Sequence, residues 1–303
     1  MNNKLNISII GTGNVGRTIA KELIDTEIPM HLNILDPAPE IDAIKEDMRH
    51  ATSYSKQCTI SWNEDRLHDA DYIFISAAQQ ATTIGNRLDK AQGHIEMVYD
   101  LFKDFSPKND PHLIVITNPV DVITYHAWKA SGLSKNRVIG TGTFLETLRF
   151  DYYLAELFET EAQKAKGILL GEHGNSAVIA YSLCKIQGQV LDRNKVKKAA
   201  ELAIEAPYKI RKAGEYTKYA ISKCAVGIFK GIHLKVQMTI PAGLILNEKN
   251  CNLLSCQPIC MSTLVTISEG SFQQSDLSHL ATDEMEALRK SAAILQEHTL
   301  LKN

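Results

Sequence analysis

One histidine of the chain lies in a setting that suits proton transfer. His173 stands between glycines in the segment 170–176, which reads Leu-Gly-Glu-His-Gly-Asn-Ser and begins at the end of a predicted strand. A histidine on such a loop faces a cleft and titrates near neutral pH, unlike a histidine packed on the apolar face of a helix. The sequence therefore predicts acid–base chemistry at His173, whereas the other histidines lie in no comparable setting.

Four further polar residues follow predicted strands or open a predicted helix. Asn118 comes directly after a strand, so its amide could donate a hydrogen bond to a substrate oxygen. Arg87 follows the preceding strand after a polar stretch, and Glu146 and Arg149 lie three residues apart near the start of a helix. Ligands of open α/β sheets bind beyond the carboxyl ends of the strands, so Asn118 and Arg87 are expected near such a site.

A glycine-rich segment follows the first predicted strand and opens a helix. It reads Gly-Thr-Gly-Asn-Val-Gly over residues 11–16, and Asp36 lies twenty residues further on, at the end of the second strand. Glycines so placed turn the chain and admit a pyrophosphate, while the carboxylate accepts hydrogen bonds from a ribose and repels the extra phosphate of NADP. NAD is the predicted cofactor. The predicted cofactor-binding residues are Gly11, Gly13, Asn14, Val15, Gly16 and Asp36.

The elements that must position these residues form two halves. In the first half, short β-branched runs alternate with helical patterns, which is typical of a doubly wound parallel sheet. The predicted strands cover residues 6–10, 31–35, 72–76, 113–117 and 138–139. The second half reads as α+β, with helices predicted at 146–160, 194–214 and 282–296 and a strand at 167–170. We therefore predict an α/β protein with a cofactor domain at 1–140 and a substrate domain at 141–303.

Composition excludes several classes of protein. Thirty-three Lys and Arg against thirty-five Asp and Glu give a net charge of −2 without a basic cluster, so neither nucleic acid nor a membrane surface is an expected partner. No apolar run approaches the roughly 18 residues of a membrane span, and the N-terminus lacks a signal-peptide pattern, so a cytoplasmic protein is expected. The six cysteines show no CxxC pair, which predicts reduced thiols and no metal site.

Four motifs together resemble the L-lactate dehydrogenase family. They are the glycine-rich segment, Asn118-Pro119-Val120-Asp121, the segment 138–143 and the segment 170–176, which is similar to the active-site signature of that family. The resemblance runs from about residue 5 to about residue 233 and extends to L-2-hydroxyisocaproate dehydrogenases. It implies a Rossmann-type NAD-binding domain, a 2-oxo or 2-hydroxy acid substrate and a homodimer or homotetramer.

The resemblance also implies a role for each polar residue. His173 would be the proton donor and acceptor, Arg149 would bind the substrate carboxylate, and Arg87 would polarise the substrate carbonyl. A guanidinium matches a carboxylate with two parallel hydrogen bonds, and an imidazolium can protonate the developing alkoxide. Asn118 would add a hydrogen bond to the carbonyl oxygen, and Thr217 corresponds to a threonine in the wall of the substrate pocket.

The chain departs from the family pattern in three places. The partner of the catalytic histidine is Glu146 where an aspartate is usual. The loop after the third predicted strand differs from the usual sequence and contains one extra residue. The two basic residues that in many bacterial members meet fructose 1,6-bisphosphate are here Asp151 and Lys166. A carboxylate opposes phosphate binding, so activation by this sugar bisphosphate is not expected.

The leading hypothesis is an NAD-dependent L-2-hydroxy acid dehydrogenase that interconverts pyruvate and L-lactate or a somewhat larger pair. An enzyme of the L-2-hydroxyisocaproate type, with a preference for branched 2-oxo acids, is the first alternative. A catalytically silent NAD-binding protein is the second, because Glu146 and the altered loop are unusual. A malate dehydrogenase is disfavoured, since residues 77–86 contain no Lys or Arg for a second substrate carboxylate.

Overall fold

The computed structural model describes residues 4–36, 41–55, 57–78 and 87–300, with the side chains of residues 41 and 87–90 outside that description. Its central feature is a sheet whose first six strands are parallel. They are β1 (Leu5–Ile10), β2 (Met30–Leu35), β3 (Cys58–Ser61), β4 (Tyr72–Ile75), β5 (His112–Val115) and β6 (Val138–Gly140). Their spatial order is β3-β2-β1-β4-β5-β6, which is that of a doubly wound dinucleotide-binding sheet.

Among the described residues, four helices accompany these strands. They are α1 (Asn14–Ile24), α2 (Ile41–Tyr54), α3 (Arg87–Phe102) and α4 (Val120–Ser131). In α1 the apolar residues recur every four positions: Ile19 and Leu23 are fully buried against the sheet, and Val15 packs at its margin. All five predicted strands of the first half are present, and the sequence pattern missed only the short edge strand β3.

The second half adds five helices and seven strands within the described residues. The helices are α5 (Phe144–Leu157), α6 (Arg193–Lys212), α7 (Tyr219–His233), α8 (Glu248–Leu254) and α9 (Thr282–Leu300). Four of the strands are short: β7 (Ala165–Lys166), β8 (Leu169–Leu170), β9 (Val178–Ile179) and β10 (Lys185–Ile186). Three are longer: β11 (Met238–Ile245), β12 (Cys260–Ser268) and β13 (Ser271–Gln274).

The sheet continues across the predicted domain boundary. β11 pairs antiparallel with β6 at Gly243 opposite Gly140, and β12 and β13 extend the same edge. The fold class is confirmed as α/β with a parallel core, and the second half contributes three antiparallel strands to that core sheet. The predicted division at residue 140 therefore does not interrupt the backbone hydrogen bonding of the sheet.

The predicted strand at 167–170 is wrong in its first half. Gly167 donates its N–H to Asp151 Oδ1 at 2.6 Å, so this amide is not available for a strand partner. A Cβ at Gly167 would overlap the ring of Phe150, so the chain can approach α5 this closely because residue 167 has no side chain. Instead of one strand, β7 pairs with β10 and β8 pairs with β9, and only β8 leads into the His173 loop.

Candidate active site

The glycine-rich segment joins β1 to α1. Gly11 has a φ of +92°, in the left-handed region that glycine adopts without strain, and a Cβ there would overlap the backbone of Ala77. A Cβ at Gly16 would overlap the carbonyl oxygen of Gly11, so the helix packs directly on the turn. A Cβ at Gly13 would meet nothing within 4 Å. Two glycines thus serve the packing of the turn, and the third borders open space.

The start of α1 fits the pyrophosphate of a dinucleotide. Gly13 and Asn14 are exposed at this helix terminus, and no side chain of the described residues caps it. Backbone N–H groups and the helix dipole at such a terminus favour phosphate. Asp36 lies beside the same turn, because its Oδ2 accepts hydrogen bonds from the N–H of Thr12 at 2.5 Å and from its hydroxyl at 2.7 Å. The carboxylate is therefore held where a ribose would follow a bound pyrophosphate.

Main-chain hydrogen bonds fix the loop that carries His173. Gly171, with a φ of +90°, exchanges two backbone hydrogen bonds with Ser262 of β12, at 2.9 and 3.1 Å. Two residues later, His173 donates its N–H to Asp121 Oδ2 in the first turn of α4, at 2.7 Å. The loop is thus attached to both halves of the chain before the imidazole makes any contact.

Glu146 contacts both His173 and Arg149. Its Oε2 lies 2.9 Å from Nδ1 of His173, and its Oε1 lies 3.4 Å from Nη1 of Arg149. The first two turns of α5 supply both charged residues, and their spacing of three places them side by side. The side chains of Glu146 and Arg149 are 10% and 12% exposed, against 20% for His173. The imidazole is therefore the most accessible member of the trio.

Burial and charge shift the ionisation of this trio. Burial acts to lower the pKa of His173, but the charge and hydrogen bond of Glu146, with the charge of Asp121, raise it above its usual value. Burial acts to raise the pKa of Glu146, but His173 and Arg149 hold it below its usual value. The arrangement therefore pairs an ionised carboxylate with an imidazole that stays protonated to higher pH than a free histidine.

Asn118 lies at the carboxyl end of β5, as its position in the sequence predicted. The residue is exposed, and its backbone carbonyl accepts a hydrogen bond from Nδ1 of His94 at 2.7 Å. His94 belongs to α3, and the sequence offered no reason to distinguish it from other histidines. Its hydrogen bond holds the backbone of Asn118 at the end of β5.

The structure does not bring every predicted residue into the site. The side chain of Arg87 lies outside the described residues, although the backbone of this residue opens α3. Thr217 is half-buried on the segment between α6 and α7. Away from this trio, Asp151 accepts a hydrogen bond from the amide of Gly167, and Lys166 is exposed to solvent.

Sequence reasoning quoted Asp121 within a motif but assigned it no role. The residue is 3% exposed, and its carboxylate holds the backbone of His173. An acidic residue in the first turn of a helix, three residues after Asn118, is a weak signal because such residues commonly stabilise the helix terminus. Only the contact with a loop 52 residues away identifies it as part of the site.

Other kinds of site are not seen in the described part of the chain. No group of three or more His, Cys, Asp or Glu side chains there is arranged to hold a metal ion. All six cysteines are unpaired thiols. No helix among the described residues has the length and apolar character that a membrane span requires.

Comparison with known proteins finds likenesses over the whole chain. Residues 5–140 match the model of the lactate/malate dehydrogenase NAD-binding domain. The chain is 31% identical over 310 residues to an L-lactate dehydrogenase of Clostridium perfringens strain SM101, covering 96% of this chain and 95% of that protein. It is 26% identical over 315 residues to an L-lactate dehydrogenase of Acetivibrio thermocellus, covering 98% and 97%. The solved minor L-lactate dehydrogenase of Enterococcus mundtii, in a ligand-bound form, matches with a TM-score of 0.88 and 25% identity over 99% of both chains.

Proposed function

The chain belongs to the lactate/malate dehydrogenase family and is an NAD-dependent oxidoreductase, and we propose that it acts on small L-2-hydroxy acids. In this proposal it interconverts pyruvate, or a somewhat larger 2-oxo acid, and the corresponding L-2-hydroxy acid. The observation that carries the proposal is the trio of His173, Glu146 and Arg149, joined at 2.9 and 3.4 Å beside the open end of the sheet.

Three residues bind and polarise the substrate in the proposed reduction. Arg149 binds the substrate carboxylate through two parallel hydrogen bonds, which fixes the orientation of the neighbouring ketone. Asn118 donates from its amide to the ketone oxygen, and Arg87 polarises the same oxygen, as the family resemblance implies. NADH, when bound, supplies the hydride that reduces the carbonyl carbon.

Proton transfer falls to His173. Its Nδ1 is held by Glu146, so Nε2 is the nitrogen that gives a proton to the oxygen as negative charge develops there. The negative charge of Glu146 stabilises the imidazolium before the reaction, and orients the ring in the manner of a carboxylate–histidine pair. In the reverse direction the neutral imidazole removes the proton of the hydroxyl. Reduction therefore requires the protonated ring, and its rate falls as pH rises through the pKa of His173.

Arg149 is shared between Glu146 and the incoming substrate. A guanidinium has five N–H donors, so one can remain with Oε1 of Glu146 while others bind the substrate carboxylate. The contact of 3.4 Å is long for a hydrogen bond between charged groups, which leaves the guanidinium available to a stronger partner. Glu146 thus keeps a buried cation oriented before the substrate arrives.

The choice of 2-oxo acid is tested by NADH oxidation under identical conditions with pyruvate, 2-oxobutyrate, 2-oxoisocaproate and oxaloacetate. We expect kcat/KM for pyruvate or 2-oxobutyrate to exceed that for oxaloacetate by roughly tenfold or more, because residues 77–86 provide no cation for a second carboxylate. A maximum at 2-oxoisocaproate would favour the branched-chain alternative. Binding of NADH without reduction of any of the four acids would favour the silent NAD-binding protein.

We further propose a cytoplasmic homodimer or homotetramer. The six unpaired cysteines are in keeping with a reducing compartment, since oxidising compartments favour disulfides. The assembly follows from likeness to the family, and multi-angle light scattering of the purified protein measures it.

Activation by fructose 1,6-bisphosphate is not part of this proposal. Asp151 and Lys166 occupy the places of the two basic residues, and burial raises the pKa of Asp151 to about 7, against the effects of the Gly167 amide and Lys166. Above that pH Asp151 repels a phosphate, and below it Lys166 remains the single cation. We expect the saturation curve for pyruvate to be unchanged by millimolar fructose 1,6-bisphosphate at pH 6 and at pH 8. A clear drop in apparent KM at either pH would contradict this expectation.

A further inference from the structure

Asp121 is a buried acid at the junction between the two halves of the site. It lies in the first turn of α4, three residues after Asn118, and its side chain is almost wholly removed from solvent. Its Oδ2 accepts the backbone N–H of His173 at 2.7 Å. One residue therefore connects the turn that carries the substrate-binding amide to the loop that carries the imidazole.

The second oxygen of Asp121 is buried without a hydrogen-bond partner in the described part of the chain. It faces the backbone of Gly243 on β11, where a Cβ would lie 3.3 Å from Oδ1 and 3.1 Å from Sγ of Cys260. An amide or a hydroxyl at this position could accept the same hydrogen bond from His173 at a lower cost of burial. The presence of a carboxylate therefore points to a use for its negative charge.

The charged groups around Asp121 show what that use is. His173 and Glu172 on the loop and Glu146 on α5 act on its charge, and the thiol of Cys260 on β12 is a further neighbour. His173 is the one group of this set that can carry a positive charge, and its own surroundings also include Arg149 on α5 and, across a small cavity, His298 on α9. Burial raises the pKa of Asp121 to about 7, while the amide and charge of His173 act to lower it. The two groups therefore stabilise each other's charged forms.

We propose that Asp121 is a positioning residue that sets the place of His173 relative to Asn118 and, together with Glu146, holds its imidazole in the protonated form. This inference rests on the proposed role of His173 in proton transfer. Glu146 acts directly on the ring through Nδ1, whereas Asp121 acts through the backbone and through space.

The test is the pH dependence of pyruvate reduction by Asp121→Asn, with Asp151→Asn as the matched control. Asparagine retains an oxygen that accepts the N–H of His173 but has no charge. Asp151 is also a carboxylate that accepts a backbone N–H, at 2.6 Å from Gly167, and burial also raises its pKa to about 7, yet its charged neighbour is Lys166 and not His173. Both variants therefore remove the charge of a carboxylate that accepts a backbone N–H. Only Asp121→Asn removes a charge next to His173.

For Asp121→Asn we expect the ratio of kcat/KM at pH 8 to kcat/KM at pH 6 to fall by roughly threefold or more relative to the parent, because His173 loses its proton at lower pH. The KM for NADH should stay within about twofold of the parent. For Asp151→Asn we expect the parent's ratio. If Asp121→Asn is folded by circular dichroism and its pH profile coincides with that of the parent and the control, the inference is overturned.

A second measurement leaves Asp121 in place. Coupling between two sites is reciprocal, so loss of the imidazolium must raise the pKa of Asp121. In protein labelled with ¹³C-aspartate, the titration of the Asp121 carboxyl should move to higher pH in His173→Gln, and an unmoved titration would contradict the inference. If the enzyme reduces none of the four 2-oxo acids, the proposed function fails, while this titration still decides whether Asp121 and His173 are coupled.

Discussion

His173→Gln should lower kcat/KM for pyruvate reduction by roughly a thousandfold, the scale expected for loss of general acid catalysis. Glutamine retains a polar side chain of similar length but cannot deliver a proton to the developing alkoxide. The effect should appear in kcat, because Arg149 and Asn118 still hold the substrate. Steady-state NADH oxidation from pH 6 to pH 8 measures both constants.

The same variant should bind NADH almost as the parent does. The glycine turn and Asp36 lie at the ends of β1 and β2, whereas His173 lies on the loop after β8. A change of NADH affinity below about threefold, measured by fluorescence titration, would separate the two functions of the site. Turnover within about tenfold of the parent would show that His173 is not the acid.

The first half of the fold could be predicted because its signals are local. Each βα unit places its strand, turn and helix within a short stretch, so Gly11, Gly16 and Asp36 could be placed from spacing alone. His173 could be selected for a similar reason, since the flanking glycines are adjacent to it in the chain. The predicted strands of the first half and the turn into α1 were confirmed because neighbours along the sequence determine them, whereas the roles of these residues stay predictions.

The remaining features depend on distant pairs of residues. β11 joins the sheet where Gly243 lies opposite Gly140, which is more than a hundred positions earlier in the chain. The sequence of β11 alone does not indicate which edge of the sheet it pairs with. The hydrogen bond between Asp121 and His173 is of the same kind. The contact between Oε1 of Glu146 and Arg149 is local in the sequence. The contact between Oε2 and His173 depends on the position that the His173 loop takes in the assembled fold. Pairings of this sort are fixed by the assembled sheet and have no signature within either segment.

Glu146→Gln should lower kcat/KM for pyruvate by roughly a hundredfold or more. The amide cannot supply negative charge to both Nδ1 of His173 and Nη1 of Arg149, and its NH₂ group would oppose one of these two donors. Loss of the charge lowers the pKa of His173, since the charge and hydrogen bond of Glu146 are what raise it against burial. As pH rises, the rate of reduction should therefore begin to fall at a lower pH than in the parent. This shift comes in addition to the lower kcat/KM.

Glu146→Asp separates the charge of this residue from its reach. Aspartate keeps the negative charge, so the pH limit of reduction should stay near that of the parent. Its arm is shorter by one methylene group, so it cannot keep contacts of 2.9 Å to His173 and 3.4 Å to Arg149 from the same position on α5. A displacement of about 1 Å can cost roughly a hundredfold in rate, and we expect turnover to fall or at most to stay level. A large gain in turnover would instead show that the glutamate aligns the imidazole poorly, and would favour a chain whose main role is to bind NAD.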